Sequence, residues 1–217
     1  MNGFLALTDC GWYEHLSRLH ATEANFRRPS VMPFRFPVGA PFLFKLKAPE
    51  RAIVGFGYFA GFSVLPDWLV WETFGEANGV ADLLALRQRL QTIQQAGRVE
   101  ADAAGQIGCS LIAETHFLAP DAWVDPPSDW RTRTQVGATF DLTRGEGERI
   151  CAECLLRAGV KPVLSEGQAP SDRFGAHVLR FPRLGQGIFR IKVLDAYQRA
   201  RAVTGERSLP VLEAAQI

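Results

Sequence analysis

Residues 41–66, PFLFKLKAPERAIVGFGYFAGFSVLP, constrain the fold more than any other stretch of this chain. Two runs rich in Phe, Val, Ile and Tyr are split by Ala48-Pro49-Glu50-Arg51, a pattern that predicts a β-hairpin. Phe42, Phe44, Phe56, Tyr58, Phe59 and Phe62 largely alternate along it, so one face turns inward and most of these rings belong to a core. Gly55, Gly57 and Gly61 interrupt the second strand, where a bulge or a close backbone approach is expected. Lys45 and Tyr58 carry polar ends, which suit the wall of a pocket better than a dry core.

The flanking segments supply a mixed set of elements. FLALTD reads as a short strand running into a helix, with Thr8 or Asp9 as cap and Trp12, Leu16 and Leu19 at helical spacing. Residues 25–41 hold four prolines and predict an irregular loop or an edge. PDWLVWETFGEANG and VADLLALRQRLQTIQQA predict two helices, the first carrying Trp68, Trp71 and Phe74 on roughly one face. IGCSLIAETHFLA predicts a buried strand, DAWVDPPSDW a loop, and GEGERICAECLLRAG a further helix. Strands from distant segments with helices between them predict an α+β, barrel-like domain over residues 1–160.

Past Gly159 the character changes. Residues 161–185 are polar and turn-rich, as a linker would be. Between Arg173 and Arg207 lie eight Lys or Arg (173, 180, 183, 190, 192, 199, 201, 207) against Asp195 and Glu206, so a net charge of only +1 hides a basic arm. Asp9 interrupts the apolar start and no basic lead precedes it, unlike a signal peptide. No apolar run approaches the roughly 20 residues of a membrane helix. Four cysteines in 217 residues do not make a disulfide framework, and Cys151 and Cys154 have no second pair with which to hold zinc. The histidines (15, 20, 116, 177) form no metal or nucleophile pairing, although Glu114 and His116 share a strand face. These features predict a soluble cytoplasmic protein with no membrane partner and no metal of its own.

The tail FRIKVLDAYQRARAVTGERSLPVLEAAQI resembles the opening of the HNH domain in a family of restriction endonucleases. TDCGWYEHL, EANFRRPS, PFLFKLKAPERAIVGFGYFAGFSVLP and WETFGEANG are similar to that family's N-terminal domain, itself similar to PUA-superfamily barrels of the EVE and SRA type. The resemblance implies an α+β fold: a PUA-like (EVE/SRA-like) β-barrel with flanking helices over 1–160, a linker at 161–185, and a helical arm with an incomplete ββα hairpin over 186–217. It implies double-stranded DNA, possibly modified, as partner, with a base held among Asn25, Phe26, Lys45, Tyr58, Trp68 and Trp71. Arg183, Arg190, Lys192, Arg199 and Arg201 would then grip phosphates.

Departures from the family matter as much. Gln216 stands where the family has its first HNH histidine, and a carboxamide is not a base near neutral pH. Arg201 replaces a strand cysteine and Arg27 an aromatic. The divalent metal (Mg or similar) of the full-length family is therefore not expected on this chain, nor is hydrolysis. Two other readings stand beside this one: an active HNH endonuclease cutting modified DNA in a full-length form, or a PUA-like protein that binds RNA or a nucleotide. The apolar positions of the unfinished hairpin leave a dimer open.

Overall fold

The computed structural model describes residues 1–97, 102, 105–131, 133–134, 136–160 and 183–197. Six strands form one mixed sheet: β1 (Asn2–Thr8), β2 (Glu23–Arg28), β3 (Pro41–Leu46), β4 (Ile53–Pro66), β5 (Gln106–Phe117) and β6 (Gly137–Asp141). Their order is β2-β5-β4-β3-β1-β6, with β1 and β3 parallel and every other pair antiparallel. The helices are α1 (Cys10–Arg18), α2 (Asp67–Phe74), α3 (Leu83–Gly97), α4 (Gly145–Arg157) and α5 (Gln186–Ala196). A 3₁₀ turn at Gly75–Asn78 extends α2.

The hairpin is β3–β4, and its register shifts at Phe44/Lys45, with further shifts against β5 at Phe56/Tyr58 and Phe59/Gly61. A Cβ on Gly57 would come within 2.6 Å of Ile112 Cγ2, so glycine lets β4 and β5 close up there.

The sheet is strongly curled. Phe26 on β2 and Phe42 on β3 have ring centroids 5.4 Å apart, although β5 and β4 lie between those strands. In a flat sheet three strand spacings would hold them about 14 Å apart. The concave side is filled by Phe42, Phe44, Phe59 and Ile112, and α1 plugs it with Trp12, Tyr13 and Leu16. Asp9, rather than Thr8, caps that helix, accepting from the Trp12 amide at 3.0 Å. Among the described residues β2 and β6 are the two ends of the sheet and do not pair, so the ladder remains open rather than closed.

Of the two alternatives for residues 25–41, the edge holds as far as Arg28: residues 23–28 are an edge strand paired with β5 along their whole length. After it, Phe34 and Phe36 turn back onto Phe4 and Phe59, so this proline-rich segment covers the aromatic interior.

Two further clusters lie on the convex side. Ile150, Cys151, Cys154 and Leu155 of α4 pack on Leu43, Ile53 and Phe56. Burial pushes the Cys151 thiol up to about 11 and Cys154 higher still, which makes both inert apolar groups. The second cluster joins Leu65, Leu69, Leu86 and Leu111 to Ile188, Ile191 and Leu194 of α5. Helix α5 thus packs on the body formed by residues 1–160. The Glu23 carboxylate accepts from the Gly187 and Ile188 amides at 2.9 and 3.0 Å, Ser63 donates to Asp195 at 3.0 Å, and Arg190 pairs with Glu72 at 2.9 Å. The expected linker (bar its last three residues) and the hairpin of the tail lie outside the described residues. No described helix is long and apolar enough to cross a membrane, and no group of three or more described His, Cys, Asp or Glu is placed to hold a metal.

Candidate nucleic-acid interface

Charge is distributed very unevenly in the N-terminal half. Between Glu23 and Asp67 there are six cations, Arg27, Arg28, Arg35, Lys45, Lys47 and Arg51, and one acid, Glu50. Several arginines elsewhere are matched locally, Arg87 with Asp67, Arg89 with Asp9, and Arg149 with Glu146 and Glu153. None of the six forms an ion pair with a described residue. Where such unneutralised cations come together at the surface, they create a potential that attracts polyanions.

Three of them meet at the β3–β4 turn. Lys47 and Arg51 are exposed there, fixed by backbone bonds from Lys47 N–H to Thr8 O (3.0 Å) and from Arg51 N–H to Lys47 O (3.1 Å). Beneath them Lys45 is only 2% exposed. Its ammonium donates to Leu46 O at 3.2 Å and lies 4.9 Å from the centre of the Trp130 ring. Desolvation, and secondarily Arg51, hold the Lys45 pKa below that of an ordinary lysine. Trp130 is half-buried and stacks on Phe140 (6.2 Å, 12°), and the next residue, Arg131, is exposed. An end of the hairpin therefore carries two exposed cations, a desolvated ammonium and an indole plate, a combination suited to phosphate and to aromatic bases.

The other predicted site residues are dispersed. Tyr58 shares the convex face with Lys45, but it pairs with Pro41 while Lys45 pairs with Ile53. Four residues of strand separate them by about 13 Å, so they do not wall one pocket. Tyr58 instead sets its ring edge-on to Phe56 at 6.3 Å. Phe26 belongs to the aromatic interior, 5.6 Å from Trp12. Trp68 and Trp71 are half-buried against the cluster under α2.

Asn25 is 0% exposed and donates to Asn78 Oδ1 at 2.9 Å and to Cys109 Sγ at 3.4 Å. Asn78 Nδ2 in turn donates to Val70 O and Gly75 O, which fixes the orientation of both amides. Arg27, at 7% exposure, donates to Asn78 O, and burial brings its pKa down to about 10. Asn25 and Arg27 thus tie the edge strand to the 3₁₀ turn.

Of the predicted phosphate contacts, Arg183 is exposed, with its N–H on Glu114 Oε1 at 2.7 Å, and Arg190 is paired with Glu72. The Lys192 ammonium lies over Gly61, 2.6 Å from where a Cβ would stand. Arg199, Arg201 and Gln216 lie outside the described residues. Sequence reasoning missed Lys47, Arg51, Trp130 and Arg131. The signal available was the scarcity of acids between Glu23 and Asp67, masked by the balanced charge of the whole chain.

No family model matches this chain, and no curated protein matches it. Among solved structures it is similar to ASCH from Zymomonas mobilis, at a TM-score of 0.47 and 8% identity over 69% of this chain and 94% of that one. Two single-residue variants of the same protein align at TM-scores of 0.46 and 0.45, each with 10% identity and 69% of this chain, over 96% and 94% of their own length.

Proposed function

We propose that this chain is a nucleic-acid-binding module of PUA-like type, gripping a phosphate backbone with Lys47, Arg51 and Arg131 above the Lys45–Trp130 pair. The observation that carries this reading is the run of six cations between Glu23 and Asp67, none of them ion-paired with a described residue. Each exposed cation that meets a phosphate releases a condensed counterion, which gives affinity without sequence information. The desolvated Lys45 adds a charge that bulk water screens poorly. Bases reach the half-exposed Trp130 and Tyr58 only when unpaired, which favours single-stranded or structured RNA as first ligand and duplex DNA as second. Duplex DNA is the ligand that the endonuclease resemblance implies. In that reading Gln216 leaves the chain a binder and not a nuclease.

The test is fluorescence anisotropy with an RNA hairpin and with one DNA duplex, unmodified or carrying 5-methylcytosine, 5-hydroxymethylcytosine or N6-methyladenine, across a salt series. Stronger binding to the hairpin with a steep salt dependence supports the RNA reading. Preference for one modified duplex supports the DNA reading. Failure to bind any of these ligands at low salt overturns the proposal.

A further inference from the structure

We infer that the segment between β2 and β3 is a rigid wedge that inserts Met32 between adjacent bases of the bound nucleic acid, an inference that rests on the binding function proposed above. Met32 is 72% exposed, the most exposed large apolar side chain but one among the described residues. Isolated exposed apolar groups are ordinary; the backbone of this one is tied at both its N–H and its carbonyl. Its N–H donates to Ser30 Oγ at 3.2 Å, and its carbonyl accepts from the Arg28 guanidinium. That guanidinium lies 5.7 Å over Phe34 and 5.0 Å over Phe62. Phe34 is anchored 4.9 Å from Phe4 and 5.4 Å from Phe59, and Pro29, Pro33 and Pro37 fix φ along the segment. The methionine is thus pre-organised outward on an aromatic footing.

The chemistry around it selects the partner. Arg35, three residues further along the chain, is exposed, and no acid lies between Glu23 and Glu50 to oppose a polyanion. A single apolar tip flanked by arginines matches a nucleic acid, which presents phosphates outside and apolar base faces within a step. Wedges of Met, Leu, Phe or Pro unstack such steps and kink the strand. A lipid surface also combines anions with apolar depth, but binding there scales with buried apolar area. Here that area is Met32 with Val38, which is 43% exposed. Arg28 is a positioning residue, and Arg35 meets a neighbouring phosphate.

The test places 2-aminopurine at successive positions of the preferred ligand and follows its fluorescence together with anisotropy. The intact chain should raise the fluorescence several-fold at one step. Met32→Ala should abolish that rise and weaken binding roughly tenfold, as loss of one buried apolar side chain does, while Met32→Leu should keep both. Arg35→Ala should lower the slope of log K against log salt by about one, yet keep the fluorescence rise at saturation. Saturated binding with no rise at any position, or a Met32→Ala chain indistinguishable from the parent, overturns the wedge and leaves the binding function standing. Absence of binding in the anisotropy arm overturns both. Capture of the chain by anionic phospholipid vesicles, lost in Met32→Ala, assigns the tip to lipid and also overturns the wedge.

Discussion

The carboxylate of Glu23, on edge strand β2, caps helix α5 by accepting the Gly187 amide proton at 2.9 Å across 164 residues of chain. A second bond, from Ile188 at 3.0 Å, uses the other oxygen. The helix has no cap of its own, because Gly185 stands at its N-cap position. Glu23→Ala should cost about 1–2 kcal/mol, the usual worth of a cap bearing a charge on the helix dipole. Urea unfolding measures this, and amide exchange in α5 should quicken more than exchange in α1. Equal quickening in both helices would show that the bond does not hold α5 in particular.

Lys45 separates stability from binding. Its buried ammonium has no carboxylate partner among the described residues, so Lys45→Met should leave stability unchanged or raise it by about 1 kcal/mol while weakening nucleic-acid binding. Because its folded pKa is depressed, the unfolded chain takes up the proton more readily. The destabilisation is full below the folded value and fades as pH rises toward the ordinary value of 10.5. Thermal melts of parent and variant should therefore converge at alkaline pH, and a constant gap would refute this account.

Lys47→Ala, Arg51→Ala and Arg131→Ala should each reduce the salt slope of binding by about 0.7–0.9. The same change at Arg87, which is paired with Asp67 at 2.6 Å, should leave the slope unaltered. If the four substitutions behave alike, the turn is not the phosphate grip.

Acid should loosen the β6–α4 corner first. Glu146 is held down to about 2 from an ordinary 4.5, chiefly by Arg149 and then by the Ser128 amide. Asp141 is likewise held to about 2 from 3.8, by Thr143 first and then by the terminal ammonium. Depressed carboxylates stabilise above their unfolded values and lose that contribution as pH falls from about 4.5 toward 2. Glu146→Gln should flatten the stability curve in that window, which denaturant titrations at pH 5, 4 and 3 would reveal.

Two glycines should respond differently to alanine. A Cβ at Gly55 would fall on the His116 carbonyl, against backbone that cannot yield, and should cost about 3 kcal/mol. Gly159, just past the end of α4, has φ +65° and open space around it, so only its conformation is at stake, at about 1 kcal/mol. Similar losses at both sites would argue against the tight β4–β5 approach.

Local signals explain what could be read in advance. The β3–β4 hairpin, the capped α1 and the α2, α3 and α4 helices all announce themselves in periodicity and turn chemistry within a few residues. β2 did not, because its continuation into a proline-rich segment disguised a strand whose partner β5 begins 78 residues after β2 ends. The role of Asn78 as the hub for Asn25 and Arg27 was equally hidden, since its contacts lie 53 and 51 residues away. At the candidate interface, Lys45 was visible in β3, but the indole above it comes from position 130, and no spacing rule joins the two. The basic arm drew the eye to the C-terminal segment, where Arg190 proves to be paired.

The long reach of Glu23 also sets an order of events during synthesis. At 5–20 residues per second, about 8–30 s pass between emergence of β2 and emergence of the helix start it caps. Once Leu65, Leu69 and Leu111 have themselves emerged, their apolar faces lack the Ile188 and Ile191 that later cover them. A nascent chain paused before residue 187 would present that surface to chaperones, and completion of α5 is the step that withdraws it.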